Sequence, residues 1–286
     1  MSSDQPLVQL DHILAAQRLI AGRVKRTPML TSESLGEQLG VKLYFKAEVF
    51  QKTGSFKVRG ALNKLHHLTD AEKKQGVITI SAGNHAAALA YAGSLLGIQT
   101  TAVMPQNAAT SKVEATRRYG GTPVLHGTGA EIMAKALEIQ QERNLAFVPP
   151  FDDLLIIAGQ GTVGLEILAD VPAPDMVIVP VGGGGLISGI AAAIKSRHPS
   201  AQVVGVEPVG ASAMTQSLEK NAVVRLDKLS TIADFFVVLS GATDRQTRGL
   251  SKSIVDELKD KGVKPQKVHG ERAGLGKRDI AKVGDK

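Results

Sequence analysis

The 286-residue sequence predicts an α/β architecture built on parallel strands. Three observations carry that prediction. Short apolar segments such as residues 77–80 and 175–180 lack the in-and-out alternation of half-buried strands, as strands covered on both faces do. Segments of helical spacing take turns with them as far as residue 206. Small-residue turns stand directly after two of these strands, at Ser81-Ala-Gly-Asn-His85 and Val181-Gly-Gly-Gly-Gly185, where sheets of this kind bind ligands. The length implies about two domains and a large buried core.

Residues 7–20 repeat Leu10, Ile13, Leu14 and Leu19 at helical spacing behind Asp4 and Pro6. Residues 26–30 read as extended. Ser32 or Ser34 caps a helix that runs through Leu39 and stops at Gly40. Residues 41–46 alternate as a strand, and 58–65 form a helix-like apolar run. Strands follow at 77–80, 100–104, 123–125, 145–148, 175–180 and 203–206. Helices fall between them at 85–96, 111–119, 130–143, 161–169 and 186–196.

Composition narrows the function. Hydrophobic content of 43% and charge of 21% belong to a globular protein. Apolar runs of about 18 residues are absent, so no membrane span is expected, and residues 1–6 do not begin a secretory signal. With no cysteine there is neither disulfide nor thiolate chemistry; a cytoplasmic enzyme is expected. Of the net charge of +7, the last 36 residues hold ten Lys or Arg against six Asp or Glu. Aromatics at 3% are too few for base stacking. Nucleic acid is therefore not the expected partner, and an anionic small molecule is compatible.

Lys57 follows a turn-like Thr53-Gly-Ser55 and precedes the apolar run. Burial beside Phe56 and Val58 would favour its neutral amine, which can bond covalently to an aldehyde cofactor; spacing alone equally fits a surface lysine. The Ser81–His85 turn, with Ala82 and Gly83 inside it, leaves backbone N–H groups at a helix N-terminus. Those groups suit a carboxylate or phosphate, and the Asn84 amide points into the same crevice; the plainer alternative is a simple N-cap. The run Gly182, Gly183, Gly184, Gly185 lets the backbone curl around an oxyanion ahead of Leu186. A rival reading takes Gly183, Gly185 and Gly189 with Glu207 as a dinucleotide fingerprint, which would make an NAD-dependent oxidoreductase and leave Lys57 without a role.

Taken together, Gln51-Lys-Thr-Gly-Ser-Phe-Lys-Val-Arg-Gly60, Ser81–His85, Lys112-Val-Glu-Ala-Thr116, Pro150-Phe-Asp-Asp153, Gly159-Gln-Gly-Thr162, Gly182–Leu186 and Thr231-Ile-Ala-Asp234 resemble the threonine/serine dehydratases. These are pyridoxal-phosphate (PLP) enzymes of fold type II, and the likeness covers residues 10–234. It implies two parallel-sheet domains with the cofactor in the cleft between them. The larger, phosphate-binding domain would comprise 1–40 and 146–234, and the smaller, substrate-side domain 41–145. It also implies PLP as cofactor, Lys57 as its covalent anchor and the catalytic base, Phe56 among its contacts, Asn84 at its 3′-oxygen and Gly182–Leu186 at its phosphate. Ser81, Ala82, Gly83, Asn84 and His85 would take the substrate carboxylate. The implied activity is an ammonia-lyase acting on a β-hydroxy amino acid, in a homo-oligomer.

Two departures qualify the likeness. Relatives often carry Gln and Gly where this chain has Ala87 and Ala88. Ala82 stands where serine racemases carry a serine that acts as a second acid, and alanine donates no proton, which favours the dehydratase. Beyond Asp234 the familiar pattern is expected to be truncated or replaced. Residues 231–272 resemble part of a ribosome-silencing (Iojap-like) factor, giving an atypical segment at 235–272 and a disordered tail at 273–286. Leu239-Ser240-Gly241 mimics the family's Ser-Gly segment, so Ser240 is a candidate partner of the pyridine nitrogen. Its alternative is a mere turn after a strand at 235–239, the preferred reading because the segment arrives too early. No metal is expected: Glu207 is a possible ligand, but residues 209–214 add no second carboxylate.

Overall fold

The strands divide between two sheets, and the chain divides with them. The computed structural model describes residues 7–207, 212–220, 236–240 and 268–269. Unit 1 comprises residues 1–26 and 49–162, and unit 2 residues 27–48 and 163–286. In chain order, α1 (Leu10–Ile20) belongs to unit 1, and β1 (Met29–Thr31), α2 (Glu33–Leu39) and β2 (Lys42–Lys46) to unit 2. Unit 1 resumes with α3 (Lys57–His66), α4 (Asp70–Gln75), β3 (Val77–Ile80), α5 (Asn84–Leu96) and β4 (Thr100–Met104). It continues with α6 (Thr110–Arg118), β5 (Thr122–Leu125), α7 (Ile132–Arg143) and β6 (Ala146–Phe147). The boundary at Thr162 falls inside α8 (Leu154–Asp170), after which unit 2 adds β7 (Met176–Pro180), α9 (Gly185–Arg197), β8 (Gln202–Val206), α10 (Ala213–Lys220), β9 (Phe236–Ser240) and β10 (Val268–His269).

In unit 1 the four strands are all parallel, in the order β5-β4-β3-β6. All five residues of β4 are buried, which explains the unalternating apolar run. Under the sheet, Val58, Ala61, Leu62 and Leu65 of α3 pack with Ala88, Leu89 and Ala92 of α5, Val77, Val148 and Ile156. Helix α3 is buried along most of its length, polar residues included. Its Arg59, fully enclosed, donates to Thr162 Oγ1 at 3.2 Å and to the Lys25 carbonyl at 3.4 Å. Such burial of a cation is tolerated only because partners surround it.

Unit 2 holds a mixed six-stranded sheet, β1-β2-β9-β7-β8-β10. Among the described strands of this sheet, only β7 and β8 pair in parallel; β9 runs antiparallel to both β2 and β7. Leu43, Met176 and Val204 form its core with Leu35, Leu39 and Phe45 against them. Lys46, at 0% exposure, sits within 2.6 Å of Glu166 and donates to the Thr27 carbonyl at 2.7 Å, tying β2 to the last turns of α8.

These units differ from the expected division into 41–145 against 1–40 and 146–234. Strand β2 hydrogen-bonds into the sheet of unit 2, and α1 packs on α3 in unit 1. Helix α8 starts seven residues before the predicted 161, capped by Asp153, whose Oδ1 accepts from the backbone of Leu155 at 2.9 Å and of Ile156 at 3.1 Å. Gly159 hid that start from the sequence. A Cβ there would lie 2.5 Å from the Gly60 Cα, so the glycine marks the close approach of α3 and α8 and not a helix end. Helix α4 was also unforeseen, although Thr69 and Glu72 form a capping box at its head. Ser32 and Gly40 bound α2 as expected, Gly40 in the left-handed region at φ 68.

Candidate active site

Lys57 opens α3. Its side chain is buried and its ammonium nitrogen donates to the Pro150 carbonyl at 2.8 Å. Burial lowers its pKa from 10.5 to about 8, because an ammonium loses hydration there and the neutral amine does not. A helix N-terminus, carrying positive partial charge, pushes in the same direction. The Phe56 ring, with its centroid 5.3 Å from the nitrogen, attracts the cation, and desolvation outweighs it. The site therefore holds a lysine with a substantial neutral fraction near pH 8, which is what a nucleophile and proton acceptor needs.

The Ser81–His85 turn lies in the same unit, between β3 and α5. The Ser81 hydroxyl accepts from the Gly83 amide at 3.0 Å, and the Ser81 amide donates to the Val103 carbonyl at 3.1 Å. Asn84 is the first residue of α5, half-buried, and its Oδ1 accepts from Lys112 on α6. Ala82 is exposed at the turn's apex. His85 is enclosed, and neither ring nitrogen completes a hydrogen bond among the described residues. Burial first, then the charge of Lys57, lowers its pKa to about 3, with the Val148 carbonyl opposing; the ring is neutral throughout the working range. A neutral imidazole offers an anion one N–H donor and no charge.

In unit 2, Gly182–Gly185 links β7 to α9. The Val181 amide donates across the sheet to the Val206 carbonyl at 2.8 Å, which fixes where the loop begins. Gly184 caps α9 in the left-handed region at φ 81, a conformation costly for any other residue. A helix head leaves its first N–H groups without intrahelical acceptors, and a glycine loop turns them toward one point. Loops of this kind at a helix head are suited to a phosphate. Leu186 is buried in the first turn and helps seat the helix.

Glu207 has a different task from those considered for it. Both of its oxygens accept from the head of α10, from Met214 N and Thr215 N at 2.8 Å each. It is 5% exposed and held as a helix cap, so the ribose contact required by the dinucleotide reading is already occupied by backbone. Among the described residues no cluster of three or more His, Cys, Asp or Glu side chains could hold a metal ion. The sequence showed the carboxylate but not the helix behind residue 212 that it caps.

Ser240, the cofactor candidate set against the preferred reading of a turn, is the last residue of β9. Strand β9 enters the sheet as anticipated, but antiparallel to β7, with Leu239 opposite Met176 and Ser240 opposite Lys42. Its carboxyl end thus lies at the amino end of β7. At about 3.4 Å per residue the glycine loop lies roughly 20 Å away, at the opposite end of the strands. Ser240 is not on the side of the ligand loop. Lys112 is the residue that sequence reasoning missed; its place in a Lys-Val-Glu-Ala-Thr motif marked it, but nothing local in the sequence pairs it with Asn84.

Unit 1 thus carries a buried lysine of lowered pKa and a helix-heading turn with Asn84, and unit 2 carries a glycine loop at the head of α9. The chain belongs to the pyridoxal-phosphate dependent enzyme family, which it matches over residues 20–262. That match passes Asp234 and takes in most of segment 235–272. The chain is 44% identical over 253 residues to the L-threonine ammonia-lyase of Thermotoga maritima, a match covering 88% of this chain and 63% of that protein. It thus spans less than two thirds of that relative's length. Among solved structures, maize serine racemase is similar with a TM-score of 0.75 and 42% identity, over 79% of this chain and 69% of that one. The threonine deaminase of the organism abbreviated T.th. gives a TM-score of 0.72 and 44% identity, over 77% and 71%.

Proposed function

We propose that this chain is a PLP-dependent ammonia-lyase that converts threonine or serine into a 2-oxo acid and ammonia. The observation that carries the proposal is Lys57, enclosed at the head of α3 with its amine biased toward the neutral form. Bound PLP supplies the electron sink that makes the substrate α-proton removable. Lys57 would be the covalent anchor of that cofactor, and its free amine would take the substrate α-proton. The β-hydroxyl leaves with a proton as water, and addition of water to the released product gives the 2-oxo acid and ammonia. Asn84 would hold the cofactor's 3′-oxygen, the N–H groups of the Ser81–His85 turn would hold the substrate carboxylate, and Gly182–Leu186 would hold the phosphate.

Ala82 favours elimination over racemisation. Racemisation needs an acid that returns a proton to the opposite face of the substrate, and a methyl group has none to give. The likeness to both a threonine deaminase and a serine racemase makes this residue the discriminating one. We place the enzyme in the cytoplasm as a homo-oligomer, with an amino acid as its small-molecule partner; sedimentation tests the assembly. The ribosome-silencing likeness of residues 231–272 rests on sequence alone, and co-sedimentation with large ribosomal subunits tests it.

Titration of the purified protein with PLP tests the function. The expected result is a visible absorbance band that Lys57→Ala abolishes, with ammonia released from threonine or serine by the wild type only. A band unchanged by Lys57→Ala, or none at all, sinks the proposal.

A further inference from the structure

Lys112 lies outside every role assigned above, yet it touches two residues of the turn. It stands in the first turn of α6, half-buried, and its ammonium donates to Asn84 Oδ1. Its aliphatic stem covers Gly83 so closely that a Cβ there would lie 2.8 Å from Lys112 Cγ. The stem therefore depends on the glycine, and the charged tip depends on the amide.

The chemistry of that contact has a directional consequence. An asparagine amide presents an acceptor at one end and a donor at the other, and the two ends look alike in shape. An ammonium only donates. Its partner must be the amide oxygen, so the contact fixes the flip that geometry alone leaves open. With Oδ1 turned to Lys112, the opposite end of the amide is Nδ2, a donor suited to an oxygen anion. Had the amide turned over, its oxygen would face the anionic 3′-oxygen of the cofactor and repel it.

We propose that Lys112 is a positioning residue that sets the Asn84 amide donor-first toward the 3′-oxygen of PLP and places a second positive charge behind it. This rests on the functional reading of Lys57 and Asn84 given above. Its effect on the cofactor is both geometric and electrostatic. A cation close to the cofactor disfavours a further positive charge on it, so the proton of the cofactor–lysine linkage is lost at lower pH with Lys112 present.

The experiment compares wild type, Lys112→Met, Lys112→Arg, Asn84→Ala and the Asn84→Ala/Lys112→Met double variant by PLP titration, following absorbance from pH 6 to pH 10 (about the range a lysine-linked cofactor needs). Lys112→Met is expected to weaken PLP binding about tenfold, the effect of losing one hydrogen bond to a charged group, and to raise the pH midpoint of the band. Lys112→Arg, also a donor-only cation, restores both. In the Asn84→Ala background, Lys112→Met has little further effect on affinity, because the amide it positions is gone. Equal affinity and midpoint in wild type and Lys112→Met overturn the assignment of Lys112 while leaving the Lys57-dependent band in place. Losses that add fully in the double variant overturn it as well. A wild type without any Lys57-dependent band overturns both this inference and the function beneath it.

Discussion

Replacing Lys57 by methionine in the cofactor-free protein should stabilise it at neutral pH, although the enzyme loses its central residue. The side chain is enclosed, and its pKa falls from 10.5 to about 8 through desolvation. That drop corresponds to roughly 3 kcal/mol of folding free energy lost at neutral pH. Methionine fills a similar volume without the charge, but it leaves the Pro150 carbonyl without its 2.8 Å donor, at a cost of about 1–2 kcal/mol. The net expectation is a gain of about 1–2 kcal/mol at pH 7. The pH dependence carries the sharper test. Between pH 8 and 10.5 the unfolded chain binds the lysine proton and the folded chain does not, so wild-type stability rises with pH through that window. The penalty is complete below pH 8 and gone above pH 10.5. Urea unfolding of both apoproteins at pH 7 and pH 10 should therefore show a methionine advantage that shrinks or reverses at the higher pH. Parallel stability curves for the two proteins would refute the claim that burial lowers the pKa of this amine.

Gly159→Ala should cost at least about 2–3 kcal/mol, since its new methyl would sit 2.5 Å from backbone of α3 that cannot yield cheaply; a urea midpoint measures it, and reduced PLP affinity should accompany it because α3 carries Lys57. Glu207→Gln should lower stability by about 1 kcal/mol through the weakened cap of α10, read as a fall in Tm that added NAD or magnesium does not reverse. Ser240→Ala should leave PLP affinity within about twofold of wild type, because β9 ends at the amino end of β7, away from the glycine loop; a tenfold loss with the fold intact would return Ser240 to the cofactor.

Much of this protein was legible as sequence because its signals are local. Ser32 and Gly40 bound α2, residues 77–80 and 100–104 are strands as their apolar runs implied, and the Ser81–His85 and Gly182–Gly185 turns open α5 and α9. A cap, a run or a turn acts on its own backbone and needs no distant partner to be recognised. Lys57 could likewise be singled out, as the lysine that a known motif sets ahead of so apolar a helix. Tertiary structure decided the rest. Whether that lysine is buried depends on residues 93 positions away, the Pro150 carbonyl among them. Strand direction in β9 is set by its pairing with β2 and β7, which no period in Phe-Phe-Val-Val-Leu reveals, and that direction moved Ser240 to the wrong end of the sheet. Glu207 changed from possible ligand to helix cap, and Lys112 from motif residue to partner of Asn84, for the same reason. A side chain's chemistry is written in the sequence, but its role depends on which polar atom the fold places within about three ångströms of it.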